Sequence, residues 1–206
     1  MCQTGMAKLL SEIEKDALTE LVNIAVSGAA VRLRAMVGTE VHLTVPAVSV
    51  MDGGEAVRAM HELGLANVLA VRQSFSGRLH GETMLVFPDK GYGALVRAVL
   101  GPDITEAEIT DLTDDALGEI GNVLLLGFLS TIGKMLAVQF EVSVPTVTTA
   151  QPRELFDGDV ERVALFIYVN FSISGRDVRG YLGLVLGVAT FEILRQVLDA
   201  FIERVT

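Results

Sequence analysis

Two short rows of acidic and amide side chains have the residue types and the spacing to do chemistry. Each row has an Asp, a Glu four residues later, an Asn three residues after that and a distant Pro. The rows are Asp16, Glu20, Asn23 and Pro46, and Asp115, Glu119, Asn122 and Pro145. Positions i, i+4 and i+7 of a helix share one face, so each triplet is predicted to line one face. Carboxylates there can bind a metal ion, and an amide can hold a water molecule by donating to it and accepting from it.

The second row repeats the first at a constant offset of 99 residues, and the repeat extends beyond the rows. Gly28 recurs as Gly127, and Leu85-Val86 recurs as Leu184-Val185. A period this long indicates a tandem duplication rather than a solenoid. We therefore expect one pseudo-symmetric domain over residues 1–206, with repeat halves at about 11–101 and 110–206.

Local signals predict the elements that position the first row. Ser11, three residues before Glu14, forms a capping-box pattern that begins a helix, and Gly38 is a suitable residue to end it. Alternating apolar residues over 40–50 predict a strand, and Pro46 predicts that it is an edge strand or ends there. The Gly-rich stretch 51–65 is predicted to be irregular, and strands at 67–74 and 82–87 are predicted to precede a short helix.

The same signals recur in the second half. They predict a helix over 111–136, strands near 138–148, 162–173 and 179–186, and a helix over 190–205. The predicted fold class is α+β, built from duplicated helix–three-strand–helix units with pseudo-two-fold symmetry. Its sheet is expected to be mostly antiparallel and flanked by long helices.

Composition excludes several classes of function. A net charge of −10 argues against nucleic-acid binding, which needs clustered Lys and Arg. The longest apolar stretch, 123–129, is too short to span a bilayer, and no window has the pattern of a signal peptide. The single cysteine, Cys2, excludes an internal disulfide. We therefore expect a cytoplasmic protein that neither binds nucleic acid nor inserts into a membrane.

The duplicated pattern resembles the motif of the CheC/CheX/FliY family of chemotaxis phosphatases, and the layout of two copies resembles CheC most. In that family the two motif helices lie exposed on one side of an α/β fold with pseudo-two-fold halves. Its activity is hydrolysis of the phospho-aspartate on the response regulator CheY. The resemblance implies that Asn23 and Asn122 are catalytic and orient the attacking water. It implies that Glu20 and Glu119 contact the regulator beside its phosphorylation site, at its lysine.

The remaining motif positions have supporting roles by the same resemblance. Asp16 and Asp115 occupy the first position, where the family allows Asp or Ser, and Pro46 and Pro145 occupy the closing position, where a structural role is implied. The resemblance implies no cofactor of the protein's own, because Mg²⁺ is expected to come with the phosphorylated CheY-like regulator. The receptor deamidase CheD is a further partner that the resemblance suggests.

The two copies depart from the family pattern in different places. Many members have Glu-Ile-Gly-Asn, which the second copy keeps, whereas the first copy has Val22 in place of Gly121. A glycine beside the critical Asn should ease close approach to another protein, so Asn122 is predicted to matter more than Asn23. The bulky run 124–126 in the second copy argues the other way.

Three functional hypotheses stay open at this point. The first is a phosphatase of a phosphorylated response regulator. The second is a non-catalytic module of the same fold that docks a regulator, CheD or another chemotaxis or flagellar-switch partner. The third is an unrelated structural or metal-dependent protein, although two carboxylates alone make a weak metal site.

Overall fold

A computed structural model describes residues 10–88, 92–101, 103–156, 162–173 and 176–205. Within them, helices and strands occur in two runs of the same order. The first run is α1 (Glu12–Val37), β1 (Val41–Asp52), α2 (Gly53–Glu62), β2 (Val68–Gly77), β3 (Gly81–Pro88) and α3 (Gly93–Leu100). The second run is α4 (Glu106–Leu136), β4 (Phe140–Val142), β5 (Thr146–Ala150), α5 (Pro152–Phe156), β6 (Arg162–Ile173), β7 (Arg176–Gly187) and α6 (Val188–Val205). Strands β4 and β5 together take the place that β1 has in the first run.

The strands form one seven-stranded antiparallel sheet that joins the two halves. Its order is β1-β6-β7-β3-β2, and both β4 and β5 pair with β2 at the far edge. The halves meet at the centre, where β3 pairs with β7. Strand β1 is the other edge, and its register shifts between Thr44 and Ala47, around Pro46. The predicted α+β fold with a mostly antiparallel sheet is confirmed, as is the edge position of the proline-containing strand.

Side-chain alternation along the strands builds a core on each face of the sheet. The larger core lies between the sheet and helices α1, α3, α4 and α6. A smaller cluster on the opposite face packs under α2 and α5. In β2, for example, Leu69 and Val71 belong to the larger core, whereas Val68 and Ala70 belong to the smaller one. The sheet therefore presents one face to the two long helices that carry the rows.

The helices α1 and α4 pack against each other in antiparallel fashion at two glycines. A Cβ added at Gly28 would lie 3.3 Å from Thr131 Oγ1, and one at Gly127 would lie 3.1 Å from Arg32 Cδ and 3.4 Å from the Ala29 Cα. Both glycines therefore allow the helices to approach closely, which explains why glycine occupies this position in each half.

The prediction that 51–65 is irregular is wrong in part, because this stretch contains helix α2. Asp52 caps this helix: its Oδ1 accepts from the Glu55 N–H at 2.7 Å, and Glu55 Oε2 accepts from the Asp52 N–H at 3.2 Å. A similar capping box between Thr105 and Glu108 begins α4 one turn earlier than predicted. The predicted helix–three-strand–helix unit therefore gains a helix between its first two strands.

Helix α4 is also long and apolar enough, over Asp111–Leu136, to cross a membrane by length and composition alone. However, 61% of its most apolar window is buried inside the fold. The helix packs against α1 and lies on strands β2 to β5. Its apolar character is therefore explained by the protein core.

Candidate functional site

Helix α1 places the first row on its outer face. Asp16 and Glu20 are exposed and Asn23 is half-buried, whereas Leu21 and Val22 are completely buried against the sheet. The periodicity of the helix thus separates the polar row from the apolar face that packs into the core. Both carboxylates are available to a partner.

Helix α4 presents the second row in the same way. Asp115 and Glu119 are exposed and Asn122 is half-buried, while Leu117 and Ile120 lie in the core. Each Asn sits at the boundary between the outer face and the core of its helix. An amide at such a boundary can be supported from the inside and still reach outward.

The side chain of Asn122 is supported by Gln73 of strand β2. Gln73 Nε2 donates to Asn122 Oδ1 at 3.1 Å and to the Ser143 carbonyl oxygen at 3.1 Å. Gln73 itself is only 1% exposed. Because a backbone carbonyl can only accept, its contact with Gln73 identifies the nitrogen of that amide, and the atom of Asn122 facing it must be the oxygen. The orientation of the Asn122 amide is therefore set by the protein.

No equivalent contact supports Asn23 within the part of the chain that the structure describes. Gln73 lies opposite Thr83 in the β2–β3 ladder, and Ile167 lies opposite Leu182 in the β6–β7 ladder. Thr83 and Leu182 are 99 residues apart, so Ile167 is the position in the second hairpin that corresponds to Gln73. An isoleucine has no polar atom to offer to an amide.

The residue before each Asn faces inward, which corrects the reason given for ranking the two rows. A Cβ at Gly121 would lie only 2.4 Å from Val71 Cγ1, and Val22 is fully buried. Gly121 therefore lets α4 lie directly on β2, and it does not clear space for a partner. The glycine-to-valine difference between the copies is a difference of core packing.

The two prolines of the rows lie in different settings. Pro46 is within β1 at the register shift, whereas Pro145 lies in the break between β4 and β5. The segment before Pro145 is held on β2, because the Ser74 N–H donates to Ser143 Oγ at 3.0 Å and the Ser143 N–H donates to the Ser74 carbonyl at 2.9 Å. This segment supplies the Ser143 carbonyl that orients Gln73. Pro145 therefore lies in the same short connection as a group that supports Asn122.

Both rows lie on the outer faces of their helices, with their carboxylates exposed. A cleft of about 590 Å³ lies at the C-terminal end of α4 and β4, and one of about 410 Å³ lies around Arg72 and Glu82. Neither is lined by an Asp, Glu or Asn of the two rows. Groups on an exposed helix face can act on a ligand that is bound to a second macromolecule. Among the residues described, no group of three His, Cys, Asp or Glu side chains is placed to share a metal ion.

The two rows lie at opposite ends of the α1–α4 pair. Since Gly28 faces Thr131 and Gly127 faces Arg32, Asn122 is level with the end of α1, about 14 residues from Asn23. At 1.5 Å per residue this corresponds to about 20 Å along the helix axis. The rows are therefore two separate sites. Large apolar side chains are exposed beside them: Ile24 follows Asn23, Leu126 lies one turn after Asn122, and Val144 adjoins Ser143.

Among the described residues, a buried ionic anchor lies near the row of α1, and α4 shows no counterpart. Glu14 is 4% exposed, its side chain accepts from the Ser11 N–H at 2.5 Å, and Glu14 Oε1 accepts from Arg195 Nε of α6 at 3.0 Å. Burial by itself would raise the pKa of Glu14, but the hydrogen bonds from Ser11 and Arg195 and the positive charge of Arg195 together lower it. The corresponding residue of α4 is Thr113, whose hydroxyl donates to the Ile109 carbonyl of its own helix at 2.6 Å.

The sequence and the fold of this chain are similar to those of known chemotaxis and flagellar proteins. The family model described as chemotaxis phosphatase CheX matches residues 69–167, just under half of the chain. The matched stretch contains the whole second row and Gln73, and it excludes Asp16, Glu20 and Asn23. No curated protein matches the sequence of this chain.

Solved structures share the fold at low identity. The crystal structure of Thermotoga maritima FliY aligns with a TM-score of 0.75 at 19% identity and covers 93% of this chain and 98% of that chain. The FliM middle domain from Vibrio alginolyticus aligns with a TM-score of 0.59 at 15% identity, covering 87% and 98%. A chain of the FliG–FliM complex from H. pylori aligns with a TM-score of 0.57 at 11% identity, covering 92% and 100%. Together with the family model, the shared fold confirms the resemblance to the CheC/CheX/FliY family.

Proposed function

We propose that this protein hydrolyses the phospho-aspartate of a CheY-like response regulator in chemotaxis signalling. The observation that carries the proposal is the second row, where an amide held by Gln73 stands beside the exposed carboxylate of Glu119. The match to the chemotaxis phosphatase CheX model over this row supports the same conclusion. The exposed position of the second row on the outer face of α4 supports a protein substrate.

The chemistry needs little from the phosphatase beyond positioning. An acyl phosphate is already activated, so phosphoryl transfer to water depends on alignment and on charge stabilisation. Asn122 Oδ1 accepts from Gln73 with one lone pair and keeps the other, and its Nδ2 keeps two donors. The amide can therefore accept from the attacking water or donate to it. Glu119 is placed one turn away, where it would contact the regulator beside the phosphorylation site.

The first row has the same residue types and is proposed to act in the same manner with less support. Asn23 and Glu20 would be its catalytic pair, and Asp16 and Asp115 would contribute negative charge at the near end of each row. The protein would use no cofactor of its own, and the substrate would bring the Mg²⁺ that its phosphorylation site requires. A cytoplasmic location follows from the proposed substrate.

A binding module without hydrolysis is the second candidate. The structural similarity to FliM domains favours it, because one of those domains is seen in complex with FliG. In this case the rows and the apolar side chains beside them would dock a regulator, CheD or a flagellar partner. Binding would then be strong and phosphate release would not change.

Phosphate release from a phosphorylated CheY-like receiver distinguishes the candidates. We expect the wild-type protein to accelerate release and the variant Glu20→Ala/Asn23→Ala/Glu119→Ala/Asn122→Ala to be folded and inactive. The matched control is Lys15→Ala/Asp114→Ala, which changes the exposed residues immediately before Asp16 and Asp115, about 100° from them around each helix. Full activity of the fourfold variant would refute the mechanism. A wild-type protein that binds the receiver without accelerating release would establish the second candidate.

A further inference from the structure

The buried side chain of Gln73 is the least explained polar group near the second row. It comes from the strand beneath α4 and faces the larger core between apolar neighbours, Val71 and Phe75. Its Oε1 is buried and has no hydrogen-bond partner among the described residues. Burial of an amide with an unpartnered oxygen is unfavourable, so stability alone does not account for a glutamine at this position.

We propose that Gln73 is a positioning residue for Asn122 and that it makes the second row the more active of the two; this inference rests on the proposed phosphatase function. Both donors of its Nε2 are used, one toward the Ser143 carbonyl and one toward Asn122 Oδ1. The first contact fixes the glutamine, and the second transmits that fixed orientation to the asparagine. Gln73 itself is too deeply buried to touch a regulator.

A fixed orientation matters because the carboxamide of Asn can rotate, and its oxygen accepts hydrogen bonds whereas its nitrogen donates them. With Oδ1 held toward Gln73, the Nδ2 donors of Asn122 lie on the other side of the carboxamide and are not used by that contact. A partner then meets one amide orientation instead of two, and no ordering is required when the complex forms. In the first row, Asn23 corresponds in position to Asn122 but Ile167 corresponds to Gln73, so the amide of Asn23 lacks this support.

The variant Gln73→Met tests this role, because methionine keeps the length and apolar stem of the side chain and removes both donors. We expect kcat for phosphate release to fall about tenfold, a loss within the range of positioning effects, with KM for the receiver within twofold of wild type. The melting temperature should be unchanged or higher, since the unpartnered Oε1 is removed. The matched control is Ile167→Met at the corresponding position of the other hairpin, for which we expect no change in kcat.

A double-mutant cycle separates positioning from a general structural effect. In the Asn122→Ala background, activity comes from the first row, and Gln73→Met should cause no further loss. The side-chain NH₂ signals of Asn122 in a ¹H–¹⁵N spectrum, assigned by their absence from Asn122→Ala, should shift in Gln73→Met. An equal loss in both backgrounds would overturn the inference even if the variant is less stable.

The outcomes also distinguish the inference from the function on which it rests. A wild-type protein without phosphatase activity overturns the proposed function and the inference with it. An active wild-type protein whose kcat is unchanged in Gln73→Met overturns only the inference. A selective loss of kcat that requires Asn122 supports both.

Discussion

The two long helices carry the same polar row on their outer faces and differ in what holds that row from beneath. On α4, Gly121 lets the helix lie on Val71, and Gln73 fixes the amide of Asn122. On α1, the residue before the Asn is a buried valine, and an isoleucine corresponds to Gln73. The comparison shows that two sites with equal surface chemistry can differ in the support that positions them. We therefore expect the second row, whose Asn122 is held by Gln73, to be more active than the first.

The most direct way to break the comparison is to remove each asparagine in turn. We expect Asn122→Ala to lower phosphate release by on the order of 10²-fold at the second site, because a positioned amide is lost, and Asn23→Ala to have a smaller effect on the total. The measurement is release at matched, subsaturating concentrations of phosphorylated receiver. Melting temperatures of both variants serve as the control for folding. A larger loss from Asn23→Ala would reverse the ranking of the rows.

The packing beneath α4 gives the next largest effect. Gly121→Val gives the second copy the residue of the first copy, and its Cβ alone would lie 2.4 Å from Val71 Cγ1. Helix α4 must then move away from β2, at a cost of about 1–3 kcal/mol in the free energy of unfolding. Because Gln73 is on β2, the same movement should lengthen its contact with Asn122 and lower kcat.

Urea unfolding and phosphate release measure the two effects of Gly121→Val. The double variant Gly121→Val/Val71→Ala removes the clashing side chain and should recover much of both losses. A single variant with wild-type stability and kcat would show that α4 does not depend on this close approach.

The fold was accessible from the sequence because its signals are local and repeated. The capping box at Ser11, the alternation in the strands and the constant offset of the rows led to the correct fold class. Helix α2 was missed because Gly53-Gly54 suggested a loop, although Asp52 and Glu55 have the spacing of a capping box. Glycines at the start of a helix are tolerated when a cap satisfies the free N–H groups.

The rows themselves were found from spacing, but their support was not. One signal was present: every second residue of β2 from Leu69 to Phe75 faces the larger core, and Gln73 is the polar member of that series. The counterpart of Gln73 in the second half could not be found by adding the offset of 99, which would give Ser172. The ladders give Ile167, because the hairpin of the second half is five residues longer, so the offset is 99 on its second strand and 94 on its first. Register is a property of strand pairing, and the sequence offset does not record it.

The smallest expected effect concerns the ionic anchor of α1, which has no counterpart on α4 among the described residues. Arg195→Met keeps the apolar stem and removes the charge that faces buried Glu14, so we expect a loss of about 1–2 kcal/mol at pH 7, limited by the partial exposure of Arg195. The matched control is Lys15→Met, which breaks an exposed pair with Glu12 on the same helix and should cost almost nothing.

The dependence of this loss on pH follows from the lowered pKa of Glu14. A carboxyl whose pKa is lower in the folded protein than its ordinary value of 4.5 adds stability above that pH, and this stability is lost as pH falls through the folded pKa. Removing Arg195 raises the folded pKa, so the variant should lose stability at higher pH than the wild type does. Urea unfolding of both proteins from pH 7 to pH 3 should show their free energies of unfolding converging below about pH 4.5. A constant difference across that range would mean that Arg195 stabilises α1 through packing rather than through Glu14.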